Sequence, residues 1–198
     1  VMDGKYEAYP EYRDSGVEWL GAIPVHWRNS SLKYYIQSMV AGGTPESSNP
    51  KYWADSGMGI PWVSISDITK GYLISKTNKD VTLLGGNAKS LKILPRGTIL
   101  YSIFASLGKV AVANVPLTTN QAILGIIPSA ALDSKFLQYW LRELESYLSL
   151  ISSSNTQDNL NAEKVGNLPS VYPPEEEQGK IAAFLDHETA KIDTLIEE

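Results

Sequence analysis

Apolar residues recur at three- and four-residue steps through the closing stretch PPEEEQGKIAAFLDHETAKIDTLIEE, residues 173–198. Ile181, Leu185, Ile192 and Leu195 form a stripe there, supported by Phe184 and Ile196, and this spacing predicts a helix. Its start is written into the residues ahead of it. Pro174 lacks an N–H that a first helical turn would leave unsatisfied anyway, and Glu175, Glu176 and Glu177 suit the positive end of the helix dipole. From Glu175 onward the helix would extend roughly 36 Å, at about 1.5 Å per residue. A stripe of that length must lie against something. Either the helix folds back on its own domain, or another chain covers it.

A second helix is predicted after Asp133 or Ser134, either of which can cap it, with Phe136, Leu137, Trp140, Leu141, Leu144, Tyr147, Leu148 and Ile151 on one face. Ahead of it, TILYSIF (98–104), KVAVANV (109–115) and AILGII (122–127) are β-rich runs, the first two spaced as a hairpin. In IPWVSIS (60–66), alternation places Trp62, Ser64 and Ser66 on one side of a strand and Val63 and Ile65 on the other. SLKYYIQSMV (31–40) fits a strand or a short helix, and a turn-rich loop with four glycines and two prolines follows it. In the opening SGVEWLGAIPVHW, Gly21 and Pro24 allow a short turn before Trp19 and an extended stretch after it, with Trp19 and Trp27 as packing anchors. Strands, helices and turns alternate over most of the chain, and the residues alone leave the fold open.

Composition narrows the classes. With 198 residues and 43% apolar side chains, the chain can fill a core. It has no cysteine and only His26 and His187, so a disulfide framework is excluded and a zinc site would need mostly carboxylates. No apolar run reaches the ~18 residues of a membrane span, the start is too polar for a signal peptide, and a reducing cytoplasm fits. Val1 ahead of Met2 suggests an engineered boundary. The net charge of −5 conceals an asymmetry: −3 over residues 1–24, +6 over 25–128 and −8 over 129–198. A basic block between acidic ends suits a face that grips phosphates, although a scattered solvated surface has the same count.

Catalytic chemistry finds no support in the residues. LLGGNAKS (83–90) resembles a phosphate loop, but Leu83 and Ala88 stand where glycines are required. Asn49, Pro50, Lys51 and Tyr52 resemble the NPPY tetrapeptide of amino-methyltransferases, with Lys51 in place of a proline, and no glycine-rich turn is available to hold S-adenosylmethionine. Both histidines have structural explanations, and the glutamates at 175–177 are explained by the helix dipole. What remains are polar loops. Thr44, Lys51 and Tyr52 lie in one, and Ser64, Ser66, Asp67 and Lys70 cluster after Trp62. Thr119, Asn120 and Gln121 form a turn whose amides can pair bidentately with adenine, while Arg96 and Lys109 can contact phosphates. Asn and Gln in turns more often satisfy the backbone alone.

Taken together, YRDSGVEWLGAIPVHW, GGTPESSNPKYW, IPWVSISDI, PRGTILYSIFASLGKVAVANVPLTTNQA, FLQYWL and LPSVYPPEEEQGKIAAFLDHETAKIDTLI resemble the specificity subunits of type I restriction–modification enzymes, in order over almost the whole chain. That resemblance implies a bacterial or archaeal, non-catalytic DNA-recognition protein of α+β fold: a mixed-sheet globular recognition domain over 1–170, opening with a packing segment over 1–27, and a helix of coiled-coil type over 171–198. Each of two recognition domains in such a subunit reads one half of a bipartite double-stranded DNA site. Long antiparallel helices space the halves, and methyltransferase subunits, which bind S-adenosylmethionine, dock with a restriction subunit. No cofactor is implied for the specificity subunit itself. This chain resembles about half of one, as a truncated piece or a natural half-subunit. The stripe of Ile181, Phe184, Leu185, Ile192, Leu195 and Ile196 is then expected to pair with a second copy as an antiparallel homodimer. A stand-alone methyltransferase fragment and a protein-only interaction module are the competing readings.

Overall fold

A computed structural model describes residues 9–17, 19–104, 106–154 and 160–197. Within its helices the side chains of residues 146, 149–154, 193, 196 and 197 are not described, and Ile151 and Ile196, expected on helix faces, fall among them. Gly21 and Pro24 act as predicted: strands β1 (Tyr12–Asp14) and β2 (Ala22–Pro24) pair antiparallel around the turn that carries Trp19. After β3 (Arg28–Ser31), the ambiguous segment is helix and strand in succession. A single 3-10 turn at Leu32–Tyr34 precedes β4 (Ile36–Ala41).

The next stretch builds a small module. Strands β5 (Trp53–Asp55) and β6 (Ile60–Val63) lead into a helical turn α1 (Ile65–Ile68), then β7 (Leu73–Ile74), β8 (Lys79–Val81) and a short helix α2 (Leu83–Ala88). The expectation that Trp62, Ser64 and Ser66 share a strand face is therefore corrected. The strand stops at Val63, because Ser64 and Asp67 form a reciprocal capping box that starts α1 instead. The segment that resembles a phosphate loop is α2, capped by the Thr82 side chain, which accepts from the Gly85 N–H at 3.1 Å.

The β-rich runs become β9 (Ile99–Ser102) and β10 (Val110–Ala113), which form the expected hairpin. Short β11 (Thr118–Thr119) and β12 (Ile123–Pro128) follow, then α3 (Ser134–Ser154), α4 (Ala162–Gly166), β13 (Pro169–Tyr172) and α5 (Glu175–Glu197). Two larger sheets result, ordered β4-β12-β9-β10-β7 and β11-β6-β8-β5, while β13 pairs with β3. Parallel and antiparallel neighbours occur in both, as in an α+β domain.

The five-stranded sheet is buried on both faces. Ile99, Tyr101, Leu124 and Ile126 pack with Leu137, Leu141, Leu144 and Leu148 of α3. Leu100, Ala111 and Ile123, on the other face, pack with Val63, Ile68, Leu94 and Leu117. The period-2 alternation of β9 and β12 thus serves two cores at once. Each fully buried leucine contributes about 1.5–3 kcal/mol relative to exposure. Asp133 is the residue that caps α3, accepting from the Phe136 N–H at 2.8 Å. Trp19 is an anchor as expected, stacked 5.0 Å from Tyr147 and packed against the core.

The roots of α3 and α5 are joined through Gln178, which is 2% exposed. Its Oε1 accepts from the Asp133 N–H at 2.8 Å, and its Nε2 donates to the Pro173 carbonyl at 2.9 Å. The α5 stripe is accordingly not open along its whole length, which corrects the expectation for Ile181. Ala182 is buried, Ile181 packs on the core, and Phe184 and Leu185 are half-buried. Asp186 accepts from Tyr139 at 2.7 Å and pairs with Lys135 at 3.3 Å. Beyond that point Ile192 and Leu195 are 56% and 71% exposed. The first turns of the helix fold back, and its last turns do not.

Candidate nucleic-acid interface

Strand register decides which loops meet. Ala41 at the end of β4 pairs with Leu124, and Ser102 at the end of β9 pairs with Ile123 at the start of β12. The loop after Ala41, the turn before Ile123 and the β9–β10 hairpin loop therefore emerge at one end of the five-stranded sheet. Arg96 is placed differently. It precedes Ile99, which pairs with Ile126 three positions further along, so it lies toward the opposite end.

Gly42 is the point of closest approach. Its N–H donates to the Ile123 carbonyl at 3.3 Å, and the Gly43 N–H donates to the Thr119 carbonyl at 2.9 Å. A Cβ on Gly42 would stand 2.1 Å from the Thr119 oxygen and 2.3 Å from the Asn120 oxygen, so only glycine fits. Trp62 clamps the same loop, its indole N–H donating to the Gly43 carbonyl at 2.9 Å, while the Asn120 N–H donates to the Val63 carbonyl at 2.9 Å. The Thr44 hydroxyl donates to Gln121 Oε1. Two of the predicted reading segments are thus one surface.

Lys51 and Tyr52 sit on a 3-10 turn (Pro50–Tyr52) started by Asn49, whose side chain accepts from the Lys51 N–H. That turn is bolted to α2. Thr82 donates through its hydroxyl to the Lys51 carbonyl at 2.8 Å and through its N–H to the Tyr52 carbonyl at 3.0 Å. The Lys51 side chain is exposed. After α2 the chain reverses at Ser90, whose φ of 54° is left-handed. There the Ser90 N–H donates to the Asn87 carbonyl and the Leu91 N–H to the Gly86 carbonyl, the double bond pattern of a Schellman cap. This reversal lays the Lys89 side chain along Gly43, with Lys89 Cγ 3.2 Å from where a Gly43 Cβ would stand.

At the Ser64–Lys70 edge the groups divide by role. Asp67, 7% exposed, accepts from the Ser64 N–H and hydroxyl at 2.9 and 2.6 Å and from the Asn78 N–H at 3.1 Å. It holds structure, as does Thr119, which is 1% exposed and donates to the Ile123 carbonyl. Ser66 and Lys70 are exposed, joined through Asn78 at 3.2 Å each, beside a cavity of about 250 Å³. A larger groove of about 410 Å³ runs between Ser47, Ser48, Trp53, Asp55 and Lys79, with the Lys79 ammonium 5.0 Å over the Trp53 ring.

The charge pattern keeps its sign on the surface. Lys51, Lys70, Lys76, Lys79, Lys89, Lys92 and Arg96 are exposed, and among the described residues no acidic side chain pairs with them. Lys109 differs, bonded to Glu145 of α3. Sequence reasoning missed Lys89, Lys79 and Trp53, because α2 is too short to show periodicity and the grooves are formed by residues far apart in the chain. It also missed the node at the root of α5. Glu177 accepts from Tyr9, from His26 Nε2 at 2.8 Å and from the Trp27 indole at 2.9 Å, and so ties the opening segment to the helix. Burial pushes the Glu177 carboxyl up, but these bonds outweigh it and hold the group below its ordinary range. Burial, with the bond to Glu177, raises the Tyr9 phenol to about 12.

Among the described residues there is no group of histidine, cysteine, aspartate and glutamate side chains that could hold a metal ion, and no helix long and apolar enough to cross a membrane. The family model for the type I restriction modification DNA specificity domain matches residues 24–198. The chain belongs to this family. It is 34% identical over 197 residues to the MjaIX type I restriction enzyme specificity subunit of Methanocaldococcus jannaschii, covering 98% of this chain and 43% of that protein. It is 30% identical over 157 residues to the HindI specificity subunit of Haemophilus influenzae, covering 78% of this chain and 33% of that protein. The chain therefore spans less than half the length of these relatives. Its fold is that of the HsdS subunit of Thermoanaerobacter tengcongensis, with a TM-score of 0.72 and 24% identity over 93% of this chain and 41% of that one. A structure solved for the assembly and conformational transition of a type I restriction–modification system matches with a TM-score of 0.72 and 25% identity, over 87% of this chain and 40% of that one.

Proposed function

We propose that this chain is the recognition half of a type I specificity subunit, reading one half of a bipartite duplex DNA target without chemistry of its own. The observation that carries the reading is the joining of the Gly42–Trp53 loop and the Thr119–Gln121 turn into one surface. The Ser64–Lys70 edge continues from Val63, whose carbonyl accepts from the Asn120 N–H, and Lys51 and Lys89 are exposed on adjoining segments. Lys51 and Lys70 neutralise phosphates there, while Thr44, Tyr52, Ser66, Asn120 and Gln121 face base edges. Asp67, Thr119 and the Ser64 hydroxyl hold these groups in place. Methyltransferase subunits, carrying S-adenosylmethionine, and a restriction subunit dock on the assembled protein. The cytoplasm is its compartment.

In this reading α5 is the spacer, held to α3 through Asp186 and Thr189, with Ile192 and Leu195 exposed further along. Ile192 and Leu195 of its open end pack against a second helix, which in this chain alone is that of another copy. Sedimentation should show a dimer, and a monomer at all concentrations would contradict that part of the proposal.

Phosphate contact by Lys51 is tested with random-sequence duplex. Each phosphate contact contributes about −0.9 to the slope of log affinity against log salt. Lys51→Ala should weaken binding to every duplex alike and flatten the slope by about that amount. An unchanged slope and affinity would remove Lys51 from the interface. Failure of wild type to bind duplex even at low salt would leave a protein-only module as the better reading.

A further inference from the structure

The amide turn was expected to pair with adenine, which requires one acceptor and one donor from the same side chain. Its geometry does not favour that pairing. Asn120 Oδ1 accepts from the Ala122 N–H at 3.0 Å, closing a turn on itself, so the Nδ2 protons are the part without a partner among the described residues. Gln121 is alike: its Oε1 receives the Thr44 hydroxyl, and Nε2 remains. Lys89, laid along Gly43, whose N–H bonds to the Thr119 carbonyl, adds an ammonium that has donors only. Three neighbouring side chains thus offer N–H groups outward.

Resting on the DNA-binding reading above, we propose that Asn120, Gln121 and Lys89 form a donor-only reading edge that selects guanine at one position of the half-site. In the major groove guanine presents two acceptors, O6 and N7, and no donor. Adenine places its N6 amine beside N7, cytosine presents an amine, and thymine pairs its single acceptor with a methyl group. A cluster of donors is matched by the first and opposed by the amines of the next two. Lys89 is the residue this adds to the specificity-determining set, and its neighbour Ser90 takes the left-handed conformation that turns the chain there.

The test uses duplexes enriched by the chain from a random pool, with each guanine replaced in turn by 7-deazaguanine, which lacks the N7 acceptor. One replacement should lower wild-type affinity about tenfold, the size of one lost base contact. Lys89→Ala should lose a similar factor on the unmodified duplex and become insensitive to that replacement. Asn120→Asp keeps the oxygen that accepts from Ala122, so the turn persists, but it exchanges the outward donors for an acceptor. Its preference at that position should move from guanine to cytosine or adenine. If no guanine replacement matters, or if Asn120→Asp keeps the wild-type preference, the proposal is overturned. It is also overturned if neutralising one phosphate with a methylphosphonate reproduces the Lys89→Ala loss while base replacement does nothing, since the donors would then serve the backbone. Those outcomes leave DNA binding itself standing, whereas a chain that enriches no sequence and binds no duplex removes both readings.

Discussion

Gly42→Ala is expected to abolish sequence-selective DNA binding while salt-sensitive binding to any duplex persists. The added methyl would stand 2.1 Å from the Thr119 carbonyl oxygen, 2.2 Å from its hydroxyl and 2.3 Å from the Asn120 carbonyl oxygen. Two of these atoms are backbone and cannot rotate aside. Since carbon contacts settle near 3.5–4.0 Å, the turn at 118–121 must move by roughly 1 Å or more. Overpacking of this kind costs about 1–3 kcal/mol in stability. The larger effect is on recognition. Asn120 and Gln121 lose their register against the Gly42–Trp53 loop, and two misplaced base contacts correspond to about a hundredfold in affinity or more. Lys51 and Lys70, which the proposed reading assigns to phosphates, are not among the groups the methyl meets, so the salt slope should be nearly unchanged. Retention of wild-type selectivity would mean that the two loops are not read as one surface.

The largest expected loss of stability is at Asp80, an acidic residue inside the basic block over 25–128. It is 1% exposed, and its carboxylate accepts from the Gly57 and Gly59 N–H groups at 2.8 and 3.0 Å and from the Thr77 hydroxyl at 2.9 Å. Asp80→Ala removes the acceptor of three donors at once, the buried Thr77 hydroxyl and the part-buried Gly57 and Gly59 amides. Each orphaned donor costs about 1–3 kcal/mol, and a total of about 3–5 kcal/mol is expected. A domain of this size has only about 5–15 kcal/mol to lose. Urea unfolding should show that fall, with early hydrogen exchange at the Gly57 and Gly59 amides. Asp80→Asn, which keeps one carbonyl oxygen, should lose less than half as much. A midpoint within experimental scatter of wild type would contradict the assignment. The consequence for function is indirect: the turn at Gly57 joins the strands that carry Trp53 and Trp62, and Trp62 clamps the reading loop.

What was legible in the sequence follows the periodicities. The α3 face, the β9–β10 hairpin and α5 are long or regular enough for burial to leave a pattern, and all three are found where they were predicted. The Trp62 strand was read too far, because Ser64 looks polar in an alternating run whether it lies on a strand or caps a helix. The partner that settles the matter, Asp67, is visible only as a geometry. The stripe on α5 predicted a surface needing cover but not which turns the domain itself covers. That division is set by Gln178 and Asp186 meeting α3, more than forty residues earlier in the chain. At the interface, residue types were readable and roles were not. Thr119 and Asp67 have the chemistry of readers and are buried in structural bonds. Lys89, the lysine of the segment dismissed as a phosphate loop, lies along Gly43 where the chain reverses at a left-handed Ser90.

In the proposed reading this surface selects a DNA sequence. Repeated enrichment of duplexes from a random pool by the chain, at a salt concentration where nonspecific binding is weak, tests it most directly. One fixed half-site should emerge with wild type, and Gly42→Ala should enrich nothing. A pool that remains random with wild type, although the folded chain still retains duplex at low salt, would contradict sequence recognition by this chain.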